Sequence, residues 1–205
     1  MRAAWHGHVN ASLAPPELRH WLTDRVSLTV KLMAHSAQFR VRKLVQRHAV
    51  CLADEAHEIG LMRPTMVRER EVMLVCDGVP VVYAHTAVPL AADADDWPFF
   101  SSLGERSLGT TLFGDPQVQR GALQFACLRA GHPLHVRAVA AAGIGREALF
   151  ARRCLFRRKS GVLLVTEVFL PAIRAFLLRD AGLTPARYVG GRRYRPRLGI
   201  AGKRI

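Results

Sequence analysis

Long apolar runs are missing from this chain of 205 residues. No run reaches the ~18 residues that point to a membrane-crossing helix, and the apolar stretch that begins near Leu163 is broken by Glu167 and Arg174. The N-terminal "MRAAWHGHVNASLAPPELRHW" has no continuous apolar core of a secretory signal, so a cytoplasmic protein is expected. Cysteine is scarce too: Cys51, Cys76, Cys127 and Cys154 lie far apart and form no C-x-x-C pair. That spacing argues against a zinc site and for buried free thiols. His132 and His135 in "GHPLH" have Pro133 between them and no carboxylate nearby, which reads as a loop or strand start rather than a metal pair. A Ser-His-Asp or Cys-His arrangement for nucleophilic catalysis is absent as well.

Acidic residues are few, 16 against 30 Lys and Arg, for a net charge of +14. Half of that excess comes from one place. Beyond Asp180 stand Arg187, Arg192, Arg193, Arg195, Arg197, Lys203 and Arg204 with no acidic residue among them. This segment mixes Gly, Pro and Arg without hydrophobic periodicity, so residues 179–205 read as a flexible basic tail. Contact of the tail with nucleic acid or anionic lipid is one reading, and a solvated tail without a specific partner is the other. The rest of the chain is still basic, which suits an anionic small molecule. Half of the residues are hydrophobic, enough for one domain with a real core. Its expected extent is 15–178, after a flexible N-terminus over 1–14, and a monomer is expected.

Leu18, Trp21 and Leu22 follow Pro15-Pro16 at helical spacing, and Ser27 is placed to cap a second helix from Leu28 to about Ala34. "FRVRKLVQ" alternates as a strand, and "ADEAHEIG" is expected to form a short helix ended by Gly60. Val72–Cys76, the turn Asp77-Gly78 and Val79–Val88 form a hairpin, with Pro80 at an edge or bulge. Ser107 opens a short helix that Gly114 closes; "GALQFACLRA" is a strand; Leu149–Arg157 and Val162–Leu170 make a second hairpin around "RKSG". Helices first and hairpins after predict an α+β fold built on an antiparallel sheet.

Two charges sit oddly in this pattern. In "LLVTEVFLP" Glu167 shares a strand face with Val165 and Phe169, and Arg70 shares one with Val72, Leu74 and Cys76. A carboxylate buried without a partner costs several kcal/mol, roughly, or stays protonated. Either both charges sit at strand ends in water or pair only for stability, or they face one enclosed pocket and bind a polar ligand.

"REVMLVCDGVP" (Arg70–Pro80), "LGERSLGTTLF" (Leu103–Phe113) and "LLVTEVFLP" resemble, in order and spacing, the signature segments of the chorismate lyase family, and "HWLTDRVSLT" (His20–Thr29) resembles its N-terminal helical segment. The similarity spans roughly residues 18 to 173. It implies an antiparallel β-sheet with helices enclosing an internal ligand pocket. It also implies conversion of chorismate to 4-hydroxybenzoate and pyruvate, the entry step of ubiquinone biosynthesis, with no metal or organic cofactor. Carried over by position, the ligand-binding arginine falls on Arg70, the acidic residue on Glu167, a ligand-contacting leucine on Leu108, and a methionine position on Leu28. Arg70 and Glu167 would be catalytic, and Leu28 and Leu108 substrate-binding beside them. His85 stands where the family often has arginine, and Cys154 where it has a polar residue; both departures are expected to alter the pocket lining or substrate positioning.

The chemistry this would require is modest. Loss of the C4 hydrogen and cleavage of the C3–O ether make the ring aromatic, so the enzyme mainly holds the reactive conformer and stabilises the departing enolpyruvate. Arg70 would pair with the ring carboxylate. Glu167 would hydrogen-bond the C4 hydroxyl and take or relay the proton, and N–H groups near Leu108 would help hold the anion. Arg152 or Arg153 is the expected cation for the second carboxylate. The competing reading is a non-catalytic effector-sensing module of the same fold; in regulators such sensors follow a helix-turn-helix, for which the residues before Leu18 leave no room. A nucleic-acid-binding protein is the third, against which the body lacks interleaved aromatic and basic residues.

Overall fold

The computed structural model describes residues 2–92 and 95–176. Six strands form one antiparallel sheet in the order β1-β2-β3-β6-β5-β4. They are β1 (Phe39–Val50), β2 (Met66–Cys76), β3 (Val79–Pro89), β4 (Gln119–Leu128), β5 (Leu149–Arg158) and β6 (Gly161–Phe169). The helices are α1 (Pro16–Thr23), α2 (Leu28–Ala34), α3 (Leu108–Gly114) and α4 (Pro133–Ala142). The α+β class and the antiparallel sheet are as the sequence predicts. Among the described residues no helix is long and apolar enough to cross a membrane.

Two tight hairpins set the register that matters. Asp77 and Gly78 both adopt positive φ (51° and 79°), the combination that matches strand twist in a two-residue turn. Pro80 lands at a register shift between Leu74 and Val75, so a bulge accommodates its missing N–H. The second hairpin turns at Lys159-Ser160 and brings Arg152 opposite Glu167. Alternation then divides each strand between two layers. Val72, Leu74, Val82 and Phe169 face α1 and α2, packing with Trp21, Leu22 and Leu32. Met73, Tyr83, Ala151 and Val168 face the other way, toward Leu134 and Ala138 of α4.

Several expectations are corrected. The N-terminal residues are packed rather than loose: His6 and Phe125 exchange backbone hydrogen bonds of 2.9 and 2.8 Å, and Val9 and Ala14 are buried. Their anchor is Asp54, whose carboxylate accepts from Trp5 Nε1 at 2.9 Å. "GHPLH" is a helix start, with His132 Nδ1 accepting the Leu134 N–H at 3.2 Å and Pro133 in the first turn, where its missing donor costs nothing. Residues 53–60 form successive turns instead of a regular helix, because Glu55 bends back to accept the Leu52 N–H at 3.1 Å and is buried. The proposed basic tail lies outside the described residues.

Candidate active site

The cavity lies between the sheet and α2 and α3, and its wall includes Leu28, Arg70, Leu108, Arg152 and Glu167. The four site residues implied by the resemblance, Leu28, Arg70, Leu108 and Glu167, therefore meet at one place, with Arg152 beside them. The two charges sit at different depths. β2 begins at Met66, so Arg70 stands well inside its strand opposite Thr86, and only 2% of it is exposed. Glu167 is the more accessible of the two, its side chain 20% exposed.

Arg70 Nη2 donates to the carbonyls of Gly104 and Arg106, both at 3.0 Å. These bonds tie the loop that leads into α3 to the sheet. Nε is buried without a hydrogen-bond partner, and no carboxylate pairs with this guanidinium among the described residues. Burial alone pulls its pKa down to about 10. A cation in this condition is poised for an anion supplied from outside.

Glu167 is held differently. Arg152 Nε donates to its Oε2 at 2.5 Å, and Arg152 Nη1 donates to the carbonyls of Trp21 (3.1 Å), Leu22 (3.3 Å) and Asp24 (2.7 Å) at the end of α1. Arg152 thus orients the carboxylate and fastens α1 to the sheet. Arg153, the other arginine considered for the second carboxylate, points to the opposite face. There it binds Glu58 at 3.0 Å and Gln124 at 2.6 Å and lies under the Trp5 ring.

The roof comes from two short helices that approach closely. Thr29 Oγ1 and Ser107 Oγ are 2.6 Å apart, and a Cβ on Gly109 would come within 3.1 Å of Thr29 Oγ1 and 3.2 Å of Ser27 Oγ. Ser107 also caps α3, accepting from the Thr110 N–H at 3.5 Å. Ser27, the cap expected for α2, makes no such side-chain bond.

Of the two departures from the family pattern, Cys154 lines the cavity and His85 does not. His85 is buried on the other face, with Nε2 3.1 Å from Glu55 and Nδ1 3.7 Å from Glu71. Glu69, Glu71 and His85 have ligand atoms close enough to surround a cation. The Arg137 guanidinium already holds that position, donating to Glu69 at 2.9 Å and Glu71 at 2.6 Å. Sequence reasoning missed Arg120, Thr86, Thr29 and Ser107 in the cavity wall. No local signal marked them: Arg120 lies three residues before Leu123 across a register shift that breaks the alternation of β4, and the hydroxyls stand in no pattern of their own.

The fold is thus an α+β domain whose internal pocket is lined by a buried arginine, unpaired by any carboxylate among the described residues, and by a carboxylate oriented by Arg152. Solved structures share the architecture at low identity. PhnF from Mycobacterium smegmatis matches with a TM-score of 0.51 and 16% identity over 73% of this chain and 65% of that one. The effector domain of PhnF from the same organism gives 0.50 and 16% over 72% and 90%. Those likenesses concern the fold alone. The sequence profile for chorismate lyase matches residues 1–176. A probable chorismate pyruvate-lyase of Cupriavidus metallidurans is 49% identical over 83% of this chain and 81% of the relative. One of Ralstonia nicotianae is 47% identical over 85% and 92%. The chain belongs to the chorismate lyase family.

Proposed function

We propose that the protein converts chorismate to 4-hydroxybenzoate and pyruvate in the cytoplasm, as the entry step of ubiquinone biosynthesis. The observation that carries this reading is the buried Arg70, unpaired by any described carboxylate, across one pocket from the Glu167–Arg152 pair. Arg70 receives the ring carboxylate, which the product retains. Glu167 accepts a hydrogen bond from the C4 hydroxyl and takes or relays the C4 proton. As that proton leaves, the C–H electrons form the C3–C4 double bond of the aromatic ring. The C3–O electron pair departs with enolpyruvate, which ketonises to pyruvate. The substrate supplies the driving force, so the protein's task is to hold the conformer and keep water away. Leu28 and Leu108 bound the ring between the roof and the sheet.

The test is direct. Purified protein incubated with chorismate, without added metal, should release 4-hydroxybenzoate and pyruvate in equal amounts. If neither product forms while 4-hydroxybenzoate still binds, the pocket is a sensor and the proposed reaction is wrong.

A further inference from the structure

Arg120 stands in the wall of the same cavity and has no part in the chemistry described so far. It is half-buried near the start of β4. Its Nη1 donates to the carbonyl of Arg25, between α1 and α2, and its guanidinium lies 5.2 Å from the centre of the Phe113 ring of α3. Its Nε is buried without a hydrogen-bond partner, and no ion pair joins it to a carboxylate among the described residues. Like Arg70, it is a cation without a carboxylate partner among the described residues; its other neighbour is the Cys154 thiol.

The charges of the pocket make the case sharper. Arg152 is committed to Glu167, and the two cancel. Arg70 and Arg120 are left, two positive charges for two negative ones on chorismate. Their placement also spreads the polar groups of the pocket over three rows of the sheet. Arg70, Thr86, Val165 and Cys154 lie in one row across the sheet, Glu167 and Arg152 in the row on one side, and Arg120 with Phe156 in the row on the other. β2 and β4, which carry the two arginines that no described carboxylate pairs, are separated by β3, β6 and β5. The three anchors are therefore not collinear. A ring carboxylate, a C4 hydroxyl and a C3 side chain likewise diverge from a six-membered ring without being collinear. Depth differs as well: Arg70 is 2% exposed, while Phe113 beside Arg120 is 46% exposed. A group held at Arg70 would lie deeper than one held at the half-buried Arg120.

We infer that Arg120 binds the enolpyruvyl carboxylate of chorismate, the group that leaves in pyruvate; this rests on the proposed lyase reading. Arg120 makes and breaks no covalent bond. It holds the side chain while the C3–O bond breaks, and Phe113 and Phe156, which meet edge to face at 6.4 Å, wall that end of the site. 4-Hydroxybenzoate has no such carboxylate, so product binding should not need Arg120.

That asymmetry supplies the test, with Arg120→Met and Arg120→Lys compared with the parent. Arg120→Met should raise KM for chorismate on the order of 10- to 100-fold, as expected for loss of a charged hydrogen bond, while Kd for 4-hydroxybenzoate stays within about two-fold. Arg120→Lys should recover part of the loss, since it keeps the charge and loses the planar fork. Because Arg120 also ties Arg25 to the sheet, unfolding midpoints are measured alongside. A KM unchanged in both variants of an active parent overturns this inference alone. An equal loss of chorismate and 4-hydroxybenzoate affinity does the same, since it marks a structural role. A parent that makes no 4-hydroxybenzoate overturns the lyase reading first.

Discussion

At the scale of single residues, Glu167 and Arg70 should fail in different ways. Glu167→Gln removes the proton acceptor but keeps the shape, so kcat should fall by roughly 10²- to 10⁴-fold, the usual worth of a positioned acid–base group. Affinity for 4-hydroxybenzoate should change far less. Turnover at the parent's rate would remove Glu167 from the mechanism. Arg70→Ala should chiefly raise KM and the Kd for 4-hydroxybenzoate, because it takes away the partner proposed for the retained carboxylate. Both residues were legible in the sequence, each as a charge on an apolar strand face. Their relative burial was not, because it depends on where β2 begins and on the register with β3. Arg152 was within reach of sequence reasoning: a two-residue turn at Lys159-Ser160 pairs Arg158 with Gly161, and counting back puts Arg152 opposite Glu167. The same count turns Arg153 to the far face. Arg120 was hidden by the register shift between Arg120 and Leu123, which breaks simple alternation along β4.

At the scale of elements, the roof depends on one close approach. Gly109 leaves only 3.1 and 3.2 Å between a would-be Cβ and the Thr29 and Ser27 hydroxyls. Gly109→Val should therefore part α2 from α3, raising KM for chorismate several-fold and lowering the unfolding midpoint by a few degrees. An unaltered KM would show that the contact does not shape the pocket. The opposite face of the sheet carries a different element-scale property. Burial alone would keep His85 neutral, but Glu55, Glu71 and the nearby Glu69 more than reverse this and push its pKa up to about 10. Burial likewise acts to raise the Glu71 carboxyl, yet His85, Tyr83 and Arg137 hold it down to about 2. A folded pKa above the unfolded value near 6.5 gives stability that is complete below 6.5 and lost as pH rises through about 10. The unfolding midpoint of the parent should fall across that window. His85→Gln should start lower at pH 6.5 and vary less, the two profiles converging near pH 10. Nothing in the local sequence announced this network, because it is assembled from β2, β3, α4 and the turns after β1.

At the scale of the whole molecule, the segments flanking the expected domain should behave in opposite ways. The N-terminal stretch reads as flexible from composition, since "MRAAWHGHVNAS" has no periodicity. Its order comes from outside itself: Asp54 holds Trp5, Phe125 pairs with His6, and Arg19 Nε donates to the Ala14 carbonyl at 2.8 Å. Deleting residues 2–14 would expose the surface that Val9 and Ala14 cover and leave Asp54 with fewer donors. With a few buried side chains worth about 1.5–3 kcal/mol each and about 2–4 °C per kcal/mol for a chain this size, the midpoint should drop by roughly 10 °C or more. The C-terminal end should be dispensable by the same reasoning. Phe176 lies 6.3 Å from Trp21 and is buried, so a chain ending there keeps the contact that closes the core over α1. The family match also ends at residue 176. Such a chain should keep its unfolding midpoint within about 2 °C, equivalent to less than ~1 kcal/mol, and its kcat/KM for chorismate within two-fold, while any salt-sensitive retention on nucleic acid or anionic vesicles disappears. A large loss of turnover on this truncation would instead make the basic segment part of the catalytic domain, and the boundary near residue 178 would have to move.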